Sequence, residues 1–279
     1  MSVREASFAG SFYPGDASEL RRRLRALVPP EPRAPALAVI VPHAGYPYSG
    51  RVAGAVYGRV EVPRDVVLLC FNHGHRGEEF AVWPEGEWRT PLGPVPVNAG
   101  LAGRIRDSCP GVVFDEEAHR EEHSGEVQLP FLQHVRPDVR VVPLALSVSL
   151  SAPSCRRLQA VGRALAGVEG DFLVVASTDL NHFEDQATTL EKDGAVIRAM
   201  ERLDEAGLRA AILERNVSMC GYGPVLAALA YAKAKGAVSA RTVVHATSGE
   251  VTGDFDRVVG YVGMIVPCGS SSGPTAAGN

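Results

Sequence analysis

A chain of 279 residues with 28 Lys and Arg against 32 Asp and Glu carries a net charge of −4, so it can bury a sizeable core and lacks the basic excess of a polyanion binder. Nucleic acid is therefore not an expected partner, and a membrane is not one either, because no apolar run approaches the roughly 20 residues of a span. The opening MSVREASFAGSFYPG has no basic-then-apolar layout of a signal peptide, which makes the cytoplasm the expected location.

Taken in chain order, the first amphipathic segment is 16–28, where Arg21, Arg22, Arg23 and Arg25 alternate with Leu20, Leu24 and Leu27 as on a solvated helix face. Unbroken aliphatic runs follow at Leu37 to Val41, Val66 to Phe71, Val139 to Leu146, Phe172 to Ser177, Thr242 to Ala246 and Val258 to Val266, the pattern of strands buried on both faces. Helical spacing of apolar residues recurs at 50–59, 98–108, 125–135, 154–167, 187–213 and 224–235. This alternation predicts an α/β fold, a sandwich with a central parallel or mixed sheet flanked by helices. No internal boundary interrupts it, so one domain is expected over 1–267. The Gly/Ser/Ala-rich tail 268–279, CGSSSGPTAAGN, is expected to be disordered.

Polar motifs sit directly after the apolar runs. Pro42-His43-Ala44-Gly45-Tyr46 follows the first, Asn72-His73-Gly74-His75 the second and Thr178-Asp179-Leu180-Asn181-His182 the fourth. Ligands of open α/β sheets bind beyond the carboxyl ends of strands, so these loops are expected to share one cleft. Pro and Gly around His43 stiffen the chain as a held ligand requires. His73 and His75 point to opposite sides of an extended chain, and His73, first after the strand, is the one expected to face the cleft. Asp179 and His182, three apart, would share one side of a turn, where a carboxylate can orient an imidazole; the alternative, which does not exclude this, is that Asp179 or Ser177 caps a short helix. His123 lies in EEHSGEVQLPFLQ, where Ser124 is a plausible helix cap and a helix start would keep the imidazole neutral. The other reading of that segment is a surface charge cluster continuing Glu116, Glu117, Glu121 and Glu122. His119, His134 and His245 are read as structural.

The five cysteines, Cys70, Cys109, Cys155, Cys220 and Cys268, are odd in number and scattered, which argues against a disulfide framework. Cys220 stands apart in SMCGYGPVLAALAYAKA, where Gly221, Gly223 and Pro224 open a long helical run; a thiol at a helix N-terminus is expected to have a lowered pKa and to serve as thiolate.

As a set, REASFAGSFYPGD, PHAGYPYSG, RTPLG, EEHSGEVQLPFL, STDLNHF, MCGYGPV and GYVGMIV resemble the Memo family, also called AmmeMemoRadiSam system protein B, over nearly the whole chain. The resemblance implies a fold similar to the class III extradiol ring-cleaving dioxygenases, with His43, His73 and Cys220 as metal ligands, Asp179 and His182 as their supporting pair and His123 as the His of the EHS motif. A thiolate where those enzymes use a carboxylate biases the site toward Fe(II), the expected metal, or Cu or Zn. One loop departs from the family pattern: Cys70-Phe71-Asn72-His73-Gly74-His75 stands where GPNH or GPSHH is usual, which would reshape one pocket wall.

The function so implied is a metal-dependent oxidoreductase of dioxygenase type acting on a small, aromatic substrate with O₂, His182 or His123 taking the substrate proton and Tyr46, Tyr48 and Tyr222 flanking a planar pocket. Two alternatives use the same residues: a non-catalytic metal- or peptide-binding module, and a hydrolase with Cys220 as nucleophile.

Overall fold

The computed structural model describes residues 2–268, so all of the expected tail except Cys268 lies outside it. In chain order the strands are β1 (Val3–Arg4), β2 (Ala36–Val41), β3 (Asp65–Cys70), β4 (Phe80–Val82), β5 (Glu87–Thr90), β6 (Gly93–Pro96), β7 (Val113–Phe114), β8 (Arg140–Leu146), β9 (Phe172–Ser177), β10 (His182–Glu184), β11 (Arg241–Thr247) and β12 (Val258–Pro267). Nine of them form one mixed sheet in the order β10-β12-β2-β9-β3-β8-β4-β7, with β11 also on β12. At its centre β2, β9, β3 and β8 run parallel. These are the unbroken aliphatic runs, and they are buried on both faces. A smaller sheet, β1-β5-β6, is built from segments with no apolar pattern of their own.

One apolar cluster covers each face of the central sheet. On the first, the helices Ala152–Leu165 and Tyr222–Ala234 pack together with Val142, Leu144, Val174 and Ala176. They approach so closely that a Cβ on Gly162 would lie 2.1 Å from the Ala227 carbonyl oxygen. On the second, the helices Ala17–Leu27 and Tyr46–Tyr57 cover Val39, Val41, Val66 and Leu68.

Two helical expectations are corrected. The segment 187–213 is not one helix but two, Gln186–Glu201 and Glu205–Glu214; Leu203 at φ +51° breaks the first, and Asp204 caps the second by accepting from the Gly207 amide. The segment 125–135 is likewise divided, into His123–Glu126 and Leu129–Val135, with Pro130 in the first turn of the latter.

Candidate metal centre

Because β2, β3 and β9 are parallel neighbours, their C-terminal ends lie on one edge of the sheet, and the segments bearing His43, His73 and Asp179 leave it together. His43 is buried, and three groups meet on the oxygen that holds its ring. The Ser177 hydroxyl donates its single proton to the Ser124 carbonyl (2.7 Å), while Gln128 Nε2 donates to Ser177 Oγ (3.0 Å). His43 Nδ1, 3.0 Å from the same Oγ, is therefore a donor, which leaves the lone pair on Nε2. That Nε2 faces Cys220 Sγ at 3.2 Å.

His73 is fixed the same way by a carboxylate. Its Nδ1 donates to Glu122 Oε1 (2.9 Å) and its amide to Glu122 Oε2 (2.6 Å), while the Ser124 amide donates to Oε1 (2.8 Å). Burial alone would raise Glu122; the hydrogen bond from His73 and the charges of His73 and His123 outweigh it and take the carboxyl down to about 2. An ionised carboxylate only accepts, so Nδ1 of His73 is the donor here and Nε2 is the ring nitrogen left for another partner.

His123 completes the group: one ring nitrogen each of His43, His73 and His123 lies within 4.8 Å of the others. His73 and His123 stack with centroids 4.5 Å apart, and His43 meets both edge-on at 5.2 Å. Burial, reinforced by the charge of a neighbouring imidazole, takes His43 and His123 down to about 3, so both rings are neutral. The neutral His123 agrees with expectation, but burial rather than a helix dipole is the chief cause. Ser124 does not cap the helix: Glu122 does, and the Ser124 hydroxyl donates to the Phe71 carbonyl instead.

Of the expected site residues, Asp179 and Cys220 join this group with different surroundings from those anticipated. Asp179 does not hold the ring of His182; its Oδ1 accepts from the His43 amide (2.8 Å), and burial raises its pKa. Residues 178–181 form no helical turn, and His182 opens β10, where its Nδ1 donates to the Ser218 carbonyl (2.9 Å). Cys220 precedes the helix Tyr222–Ala234, yet its thiol is raised, by burial and then by the charge of Asp179, not lowered. Gly221 lets the thiol loop lie on the end of β9, since a Cβ there would come 2.3 Å from the Ser177 carbonyl oxygen.

The aromatic walls also differ. Tyr46 is a core residue packed on Tyr13 and Phe131, with its hydroxyl donated to the Val127 carbonyl (2.8 Å). Phe12 lies 4.7 Å from His123 and Phe71 lies 5.0 Å from His73, so the stacked imidazoles sit between two phenyl rings. His75, at φ +50°, stands outside the imidazole group. The roles of Ser177, Glu122, Gln128 and Phe12 escape sequence reading because the partners that define them, His43, His73, Ser177 and His123, lie 49 to 134 positions away, and Glu122 stands in an apparently surface-charged run. The one available signal is the buried-strand context of Ser177.

The fold and this centre define an α/β protein with an imidazole and thiol cluster beyond the carboxyl ends of parallel strands. A family model described as "Memo-like protein" matches residues 4–265, and the chain belongs to the Memo family. It is 40% identical to a MEMO1 family protein of Thermotoga neapolitana, over 95% of this chain and 99% of that one. Similar MEMO1 family proteins occur in Aquifex aeolicus (39% identical, 95% and 99% covered) and Methanopyrus kandleri (37%, 94% and 98%). Among solved structures, an uncharacterized protein of Escherichia coli K12 shares the fold with a TM-score of 0.55 at 16% identity, over 81% of this chain and 98% of that one.

Proposed function

We propose that this chain is a mononuclear non-heme metal oxidoreductase of extradiol-dioxygenase type, acting on a small aromatic substrate with O₂. Fe(II) is the metal that this type of reaction calls for, and Cu or Zn would also suit the donor set. One observation carries the reading: the Nδ1 atoms of His43 and His73 are both committed as donors, to Ser177 and Glu122, which fixes both rings and leaves Nε2 of each for another partner. Metal-binding histidines are oriented by outer partners of this kind. His43, His73 and Cys220 are the ligands in this proposal; His123, within 4.8 Å of both imidazoles, is the neighbour against which the third ligand is to be tested.

A bound ion would act as a Lewis acid and would take the thiol to its thiolate. The chain's own groups do the rest. His182, with Nδ1 committed to Ser218, presents Nε2 as a proton acceptor, and His123 is neutral for the same task. Asp179 holds the backbone of His43, while Phe12 and Phe71 pack against the rings of His123 and His73. The Cys220–His43 pair at 3.2 Å also fits a nucleophile and its base, but the raised thiol opposes that reading.

Anaerobic reconstitution with Fe(II), followed by O₂ uptake over a panel of catechols and aminophenols, tests the proposal. Substrate-dependent uptake that is lost in His43→Ala is the expected result. Stoichiometric metal with no uptake on any compound would leave a non-catalytic metal-binding module.

A further inference from the structure

Beside the imidazole group, on the far side of Phe71, is a cavity of 450 Å³. Phe71 belongs to both spaces: its ring is 5.0 Å from that of His73 and 6.2 Å from that of Tyr222, which lines the cavity. The volume is that of a small-molecule site. What distinguishes it is the state of its polar groups. The Tyr222 hydroxyl is donated to the Val148 carbonyl, the Ser147 hydroxyl to the Asn72 carbonyl and the Asn72 amide to the Arg76 carbonyl. These three donors are spent within the protein; the His75 ring, which makes no hydrogen bond among the described residues, and Ser149 also line the space.

Acceptors are not. Glu78 and Glu79 line the same space, and no Lys or Arg does. Glu79 is paired with Arg157 at 2.7 Å, whereas Glu78 has no basic partner among the described residues. A cavity with aromatic walls, a carboxylate that has no basic partner and most hydroxyl and amide donors committed suits a group that donates hydrogen bonds and carries positive charge, and it disfavours a carboxylate.

We propose that this cavity is the subsite for a cationic, amine-bearing arm of the substrate, with Phe71 the partition between arm and reacting ring. The inference rests on the proposed aromatic substrate for its ring, but the arm has its own chemistry and its own test. Glu78 sets the preference for charge, and the Phe71 ring, standing where the family pattern has none, sets the angle between ring and arm.

The test compares three catechols that differ only in the 4-substituent: aminoethyl, ethyl and carboxyethyl. Binding is measured anaerobically by calorimetry to protein loaded with Zn(II), which is redox-silent. The amine is expected to bind about five- to tenfold tighter than the ethyl compound, as a cation–π contact plus one exposed carboxylate imply, and the carboxylate weakest. Glu78→Gln should cut the amine's advantage severalfold, leaving only the share of the aromatic walls, with the ethyl compound unchanged, and Glu78→Lys should reverse the order. Equal affinities, or an amine advantage undiminished in Glu78→Gln, would overturn the inference while leaving the metal reading intact. If no catechol binds, the ring reading fails, and phenethylammonium alone decides the arm: binding that is weakened in Glu78→Gln upholds the subsite, and no binding, or binding undiminished in Glu78→Gln, overturns it.

Discussion

Replacing Ser177 by Ala removes the oxygen on which His43, Gln128 and Ser124 converge. His43 Nδ1 and Gln128 Nε2 lose their acceptor, and the Ser124 carbonyl loses its donor. At about 1 kcal/mol for each of three buried hydrogen bonds, the variant should unfold with about 3 kcal/mol less free energy. The effect on the metal is separate. Without the acceptor at Nδ1, the ring is free to place its proton on Nε2, the atom that faces Cys220. Loss of such an outer partner costs about 10- to 100-fold in metal affinity. Urea unfolding of the metal-free protein gives the first quantity, and competitive titration with a chromophoric chelator gives the second. Ser177→Thr, which keeps a hydroxyl, should recover most of the affinity. A Ser177→Ala protein that binds metal as tightly as the parent, while losing the expected stability, would refute the assignment of the His43 tautomer to this hydroxyl.

Other substitutions probe the supports of the centre. His119 is buried, with Nε2 donating to the Ala81 carbonyl (3.0 Å), and burial lowers its pKa from 6.5 to about 4. Between those values the unfolded chain binds the proton and the folded one does not. The resulting stability is present above pH 6.5 and lost as pH falls toward 4, by about 3 kcal/mol for this one group. Denaturation at pH 7 and pH 4.5 should show a smaller difference in His119→Gln, and an undiminished difference would discount the effect. Arg4→Met leaves Glu126 buried without its 2.6 Å ion pair and should cost about 3–5 kcal/mol in thermal or urea unfolding. Glu126 also accepts from the Phe8 amide, so the same variant should expose the N-terminal segment to protease; unchanged proteolysis would show that other contacts hold it. Gly221→Ala forces a methyl against the Ser177 carbonyl and should cost about 1–3 kcal/mol, with weaker metal binding because Cys220 moves with the loop.

Much of the scaffold was legible in the chain because it follows one rule. Runs such as Leu37 to Val41 and Phe172 to Ser177 can be buried on both faces only in the interior of a sheet, and the polar loops after them fall at its carboxyl edge. The short strands were not legible: β5 and β6 have no apolar pattern and exist because β1 and the sheet's flank offer them partners. The break at Leu203 is equally silent, since an apolar residue continues the helical spacing while Asp204 diverts the chain. At the site, His43, His73 and His123 could be named from their loops, but Glu122 read as one of four surface acids. Only the fold shows that it alone among them is buried beneath His73. Cys220 shows the same limit in its electrostatics: proximity to a helix start is visible in sequence, whereas the burial and the Asp179 carboxylate that raise its thiol are not.

In the proposed function one ion is held by His43, His73 and Cys220. Titration of metal-free protein with Co(II), followed by its electronic spectrum, addresses it most directly. The account predicts one equivalent bound with a thiolate-to-metal charge-transfer band, no band in Cys220→Ala, and no tight binding in His43→Ala or His73→Ala. A band that persists without Cys220, or binding undiminished without either histidine, would contradict it.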